Sequence, residues 1–233
     1  MKRLKVHPLK QLLHQLQDSS RLLVIGPLAI TPELVKKTIR ELKPDFIIFV
    51  DGGLHHKNLF TKKQLISSCS IGDGDSLLPI SGDQIDIKLP IKKDYSDLAF
   101  VLNALVKSKK EFNGLGLLGF STTFHEERLD HLLFNLSEVE KITSRLNIQI
   151  NLDGRFIFLP PGINKLKLKG IFSVMAFSHT SLKITGKCEY KMEQWTKLNR
   201  LSSLGLSNIG KGVIFIECKK CILLYLTAGL KIS

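Results

Sequence analysis

Up to about residue 145 the chain alternates short, uninterrupted apolar runs with stretches whose apolar residues recur at helical spacing. Leu9, Leu12, Leu13 and Leu16 keep that spacing and predict a short amphipathic helix over 9–16. Residues 22–28 read as a buried strand. Thr31, followed by Pro32 and Glu33, reads as a helix start, and Pro44 as that helix's end. A second buried strand is predicted over 45–50 (DFIIFV), a helical stretch near 59–66, a short strand over 69–71 and a helix over 97–108. Leu115 to Gly119 is a further apolar strand, and Leu132, Leu133, Leu136 and Val139 set the period of a long helix over 128–144. Strands alternating with helices in this way predict an α/β domain with a mostly parallel sheet covered on both faces.

After about residue 146 the texture changes. The runs IQINL, RFIFL, KLKLK, FSVMAF, SLKIT, VIFIE and ILLYL have strand length or strand alternation, with no convincing helix between them. An all-β sandwich or barrel is therefore expected over 146–233, following an α/β domain over 1–145.

Composition narrows the class. With 233 residues and 43% apolar content, the chain can bury two modest cores without disulfides or metals. It has no apolar run of membrane-spanning length, and its N-terminal segment turns polar at His7, Lys10 and Gln11, so a soluble, cytoplasmic protein is expected. Cys69 and Cys188 stand apart. Cys218 and Cys221 (CKKC) lie between two strand-like runs and read as a hairpin turn with unpaired thiols. A net charge of +13 favours anionic partners. The lysines are scattered along the sequence, however, and with three Tyr and one Trp neither nucleic acid nor membrane is expected as a partner.

The candidate chemistry is acidic and falls at predicted strand ends, where open parallel sheets collect their ligands. Asp51 follows one strand, and Asp73 and Asp75 follow another in SIGDGDS, where glycines let the backbone bend tightly. Asp94 and Asp97 open a helix in KKDYSD, three apart and close enough to share a face. Five carboxylates in three loops repel one another unless a cation joins them, which points to Mg²⁺. At each position a bland reading competes: Asp94 or Ser96 as helix cap, Asp97 as first-turn charge, Asp51 as turn residue. Arg128, Asp130 and His131 open the long helix, a position suited to phosphate. Two nucleotide motifs fail their context. Gly114, Gly116 and Gly119 spell GxGxxG but run into a strand, and GLSNIGK at 205–211 lacks the following Ser/Thr and the helix.

Taken in order, DGG at 51–53, GDGDS at 72–76, KDYSD at 93–97, RLDH at 128–131 and SN at 207–208 resemble the thiamine pyrophosphokinase family, over most of the chain. The resemblance implies transfer of the β,γ-pyrophosphoryl group of ATP to the hydroxyl of thiamine, with release of AMP. It also implies a homodimer in which thiamine is held partly by the partner's C-terminal domain. Asp51, Asp73, Asp75 and Asp97 would form the Mg-ATP cluster, with Asp94 nearby. Arg128 and Asp130 would line the phosphate and thiamine site, and Ser207 and Asn208 would contact thiamine. By the same resemblance Gly52, Ser76, Lys93, Ser96 and His131 belong to the nucleotide- and thiamine-binding residues, and Asp73, Asp75, Asp97, Arg128 and Asp130 to the catalytic ones. The chain departs from the family in reading GDGDS for GDFDS, in Glu126 and Glu127 where a Gly-Gly pair is usual, and in a longer loop before Arg128. Two alternatives follow: a pyrophosphokinase for another hydroxymethyl heterocycle, or a catalytically silent thiamine- or nucleotide-binding protein.

Overall fold

The computed structural model describes residues 7–74, 84–121 and 129–227, and the backbone of 231–232. The chain divides into two compact units, 1–138 and 139–233.

In the first unit, α1 (Pro8–Gln15) precedes β1 (Arg21–Ile25), α2 (Pro32–Leu42) and β2 (Phe46–Val50). A 3-10 helix (Asp51–Leu59), α3 (Lys62–Leu65), β3 (Ser68–Gly72), β4 (Ile87–Lys88), α4 (Asp97–Lys107) and β5 (Gly114–Leu118) follow, and α5 (Leu129–Leu146) leads into the second unit. The strands pair in the order β5-β1-β2-β3-β4, every pair parallel. Residues of both parities along the strands are buried. Leu23, Ile25, Ile47 and Phe49 pack with Val35, Leu54 and Phe60, while Leu22, Val24 and Ile48 are sealed on the opposite face. A parallel strand covered on both faces has to be apolar throughout, which is why FIIFV shows no alternation.

The N-terminal helix belongs to this core. Leu12 and Leu16 are fully buried, and the Lys110 ammonium donates to the carbonyls of Leu16, Gln17 and Ser19, closing the helix end with a cation. α2 starts as the sequence predicts: Pro32 takes the first helical position and the Thr31 hydroxyl accepts from Leu34 N at 3.2 Å. Two readings are corrected. The strand read over 22–28 ends at Ile25, and the helical stretch read near 59–66 is the end of the 3-10 helix followed by the four-residue α3.

The second unit contains β6 (Ile150–Leu152), β7 (Phe156–Leu159), β8 (Gly162–Met175), β9 (Thr180–Cys188), β10 (Met192–Leu198), β11 (Asn208–Cys218), β12 (Ile222–Leu226) and β13 (Lys231–Ile232). These run in the order β10-β9-β11-β8-β12-β7-β6, with β13 also on β8, and all pair antiparallel. KLKLK and FSVMAF, read as two runs, are one fourteen-residue strand, β8. β10 was not read at all, because MEQWTKL has few apolar residues. The CKKC segment joins β11 to β12, but these strands flank β8 and do not pair with each other, so it is not a hairpin.

All four cysteines are free and buried. Burial pushes the thiols of Cys69 and Cys221 up to about 12 and that of Cys218 up to about 11, and it raises Cys188 as well. A thiol held protonated and out of reach is a poor nucleophile. The native protein is therefore expected to leave Ellman's reagent almost unreacted near neutral pH and to titrate four thiols once denatured. Rapid labelling of the native chain would contradict this packing.

Candidate active site

Two strand ends and a helix start supply the three acids, and two glycines let them converge. Asp51 follows β2 as the first residue of the 3-10 helix, with a positive φ of 50° that is unusual for a residue carrying a Cβ. A Cβ on Gly53 would lie 2.2 Å from Ile25 O, so the turn after β2 can press against the end of β1 only with glycine there. Similarly, a Cβ on Gly72, the last residue of β3, would come within 3.0 Å of Asp51 Cα. Asp73 follows it at once. Asp97 arrives from another direction, in the first turn of α4, whose N-terminus is capped by the Ser96 hydroxyl accepting from Ala99 N at 3.1 Å.

Asp51, Asp73 and Asp97 each present a carboxylate oxygen, and these oxygens lie within 4.8 Å of one another. Lys93 lies among them, its Nζ 2.5 Å from Asp73 Oδ2 and 3.0 Å from Asp97 Oδ1, with a further bond to Pro90 O at 3.2 Å. The contact with Asp97 is an ion pair. The side chains of Lys93 and Asp73 are each 9% exposed and that of Asp97 11%. Among the described residues, three carboxylates facing one ammonium leave the cluster two negative charges in surplus when all are ionised. Asp51 Oδ1 is buried without a hydrogen-bond partner, a costly arrangement that a cation would relieve.

The electrostatics follow from this crowding. Burial holds the Asp97 carboxyl above the ordinary carboxylate range; Lys93 pulls it down, while Asp73 and Asp51 push it up. Burial alone would lower Lys93, but its bonds to Asp73 and Asp97 and their charges outweigh that and hold it above the ordinary lysine value.

Around the cluster is a cleft of about 490 Å³, lined by Asp51, Asp73, Lys93, Ser96 and Asp97, by Pro27, Leu28, Ile91, Tyr95 and Phe120, and by His131 and Asn135 of α5. Two polar side chains hold its walls. The Asn135 amide donates to Phe120 O at 3.0 Å, and His56 Nε2 donates to Leu28 O at 3.0 Å, with burial lowering the pKa of that imidazole.

The sequence-derived residues divide accordingly. Asp51, Asp73, Lys93, Ser96, Asp97 and His131 come together in the cleft, with Gly52 buried beside Pro27. Asp94 is exposed and is not one of the converging acids. Asp130 is half exposed, 3.8 Å from His131 Nε2. Asp75, Ser76, Arg128, Glu126 and Glu127 lie outside the described residues.

In the second unit Ser207 is exposed with φ 57°, its N–H donating to Ser173 Oγ. Asn208 is buried and engaged with backbone: Nδ2 donates to Tyr190 O at 2.7 Å, and Oδ1 accepts from Tyr190 N at 3.0 Å and Ile209 N at 2.8 Å. Trp195 has the ammoniums of Lys183 and Lys219 at 4.6 and 4.2 Å from its ring centre. Sequence reasoning missed Tyr95 and Ile91, whose exposed side chains sit in the charged IKKDYSD segment at 91–97.

Fold and site together define an α/β protein with three aspartates gathered at the carboxyl ends of parallel strands and the start of a helix, followed by an antiparallel β unit. Among solved structures the chain is similar to the thiamine pyrophosphokinase from Bacillus subtilis, at 19% identity and a TM-score of 0.67, over 89% of this chain and 99% of that one. It is also similar to thiamin pyrophosphokinases from Geobacillus thermodenitrificans (19%, TM-score 0.66, 89% and 98% of the chains) and Candida albicans (17%, TM-score 0.65, 94% and 91%). At these identities the likeness establishes a shared fold. No family model matches the chain, and no curated protein matches it. No helix among the described residues is long and apolar enough to cross a membrane.

Proposed function

We propose that the chain is a thiamine pyrophosphokinase, transferring the β,γ-pyrophosphoryl group of ATP to the hydroxyl of thiamine to give thiamine diphosphate and AMP. The observation that carries this reading is the convergence of Asp51, Asp73 and Asp97 around Lys93 in a cleft at the strand ends. The motif order and the shared fold support it.

An all-oxygen donor set, the partnerless Asp51 Oδ1 and two surplus negative charges fit Mg²⁺. Asp51, Asp73 and Asp97 would hold it, with Asp75 as a further ligand, and there it would neutralise charge on the triphosphate oxygens. The protein's own groups work by position. Lys93 offers a second cation within the cleft, and Ile91 and Tyr95 form an apolar wall against which a ring can rest. Arg128, by its place in the RLDH motif, adds a phosphate-binding charge. Because Asn208 is engaged with Tyr190 and Ile209, we assign it to holding that turn in place and assign the thiamine contact to the exposed Ser207, from a second copy in a homodimer.

The test is AMP release from Mg-ATP with thiamine and, separately, with a hydroxymethylpterin. AMP in proportion to thiamine consumed is expected. AMP with the pterin alone would move the activity to another acceptor, and no AMP with either, despite measurable ATP binding, would contradict the enzyme reading.

A further inference from the structure

Residues 139–233 hold fifteen lysines and arginines against five aspartates and glutamates, so ten of the chain's thirteen surplus positive charges belong to the second unit. Scattered in sequence, many of these lysines are gathered by strand register onto one solvent face. On β8, Leu166, Leu168, Phe172 and Val174 face the core, while Ile163, Lys165, Lys167, Lys169 and Ile171 are exposed. Across on β11, Phe215 stands opposite Lys165, Val213 opposite Lys167 and Lys211 opposite Lys169. On the other side Phe215 adjoins Thr185 of β9 and Glu217 adjoins Lys183, over whose neighbour Trp195 the Lys183 and Lys219 ammoniums lie.

We propose that this face binds single-stranded nucleic acid, with backbone phosphates on the lysine row of β8 and a base stacked on Phe215, while the Lys183 and Lys219 ammoniums over Trp195 add cations at the border. Alternate residues on a strand lie about 7 Å apart, so Lys165, Lys167 and Lys169 form a straight row of cations suited to an extended polyanion. Phe215, 40% exposed on the strand beside that row, is an aromatic platform of the kind that sequence-independent single-strand binding uses. A flat sheet face offers no helix to enter a duplex groove. An anionic lipid surface fits less well, because Glu217 and Glu189 interrupt the face and its apolar residues are spaced by lysines and form no insertable patch. A second copy of the chain fits poorly too, since a twofold contact through this face would set its lysine row against another of the same sign.

Trp195 is the only tryptophan, so its fluorescence reports on this face alone. The full chain is titrated with oligouridylate and oligothymidylate, and separately with phosphatidylserine vesicles, while labelled oligonucleotide anisotropy is followed in parallel. Quenching by both oligonucleotides is expected, with affinity falling as salt rises at a log–log slope of about −2, from about −0.7 for each of three phosphates. Replacing Lys165, Lys167 and Lys169 together by glutamine should weaken binding at least about tenfold and flatten that slope. Phe215→Ala should weaken it by about tenfold with the slope unchanged. These are exposed positions, and thermal melting checks that the fold is kept. Oligonucleotide binding undiminished in the triple variant, no binding of either oligonucleotide, or binding to vesicles alone would each overturn the proposal. So would a stable dimer that protects the face from exchange and excludes oligonucleotide.

Discussion

Asp73→Asn is expected to lower ATP-dependent turnover by at least about a thousandfold while leaving the fold intact, as judged by circular dichroism and thermal melting. Asp73 is the most buried of the three acids and makes the 2.5 Å bond to Lys93, so its loss removes a cation ligand and frees the lysine at once. The fold should survive because one fewer negative charge also relieves the crowding against Asp51 and Asp97, whose oxygens lie within 4.8 Å. Asp97→Asn should behave in the same way, whereas Asp94→Asn, at an exposed position outside the cluster, should stay within about threefold of the parent. A variant at Asp73 that kept more than about a tenth of the activity would remove the cluster from the chemistry.

Lys93→Met should destabilise the metal-free protein by about 3 kcal/mol, the usual scale for taking one partner from a buried ion pair, because it removes the ammonium that faces Asp73 and Asp97. Millimolar Mg²⁺ should recover much of that loss and should stabilise the variant more than the parent, since metal and ammonium neutralise the same oxygens. The sign of the pH dependence is fixed by the direction of the shift. Lys93 is held above 10.5, so its stabilisation is fully present at neutral pH and is lost only as pH rises beyond that value. Urea denaturation with Mg²⁺ or with chelator measures both effects. Equal stability of parent and variant in chelator, or an equal response to Mg²⁺, would mean that Lys93 is not the counter-ion of a cation site.

Much of the acidic site could be read from the sequence because its geometry is local. Strand ends are marked by where apolar runs stop, and Asp51, Asp73 and Asp97 each lie within two residues of such an end or of a helix start. The role of Lys93 was harder to see. A lysine four residues before Asp97 reads equally well as a surface pair, and only the fold brings Asp73 to its other side. Tyr95 and Ile91 escaped notice for a similar reason, being apolar residues in a charged loop with no periodicity to place them. In the second unit the apolar runs revealed β11 and β12, but not that β8 lies between them, because antiparallel order depends on long-range pairing. The lysine face was invisible for the same reason: Lys165 and Lys169 come next to Phe215 and Lys211 only through register. For Ser207 and Asn208 the family resemblance implied a thiamine contact. The structure adds that the Asn208 amide grips Tyr190.

A thiamine pyrophosphokinase cleaves ATP between its α and β phosphates and passes both outer phosphates together to thiamine. Phosphorus NMR of the intact protein with Mg-ATP and thiamine follows this directly, since each possible product has its own resonances. The account predicts that AMP and thiamine diphosphate appear in equal amounts, with no ADP and no free pyrophosphate, and that omitting thiamine stops the reaction. ADP with thiamine monophosphate, or ATP left unchanged in the presence of bound thiamine, would contradict it.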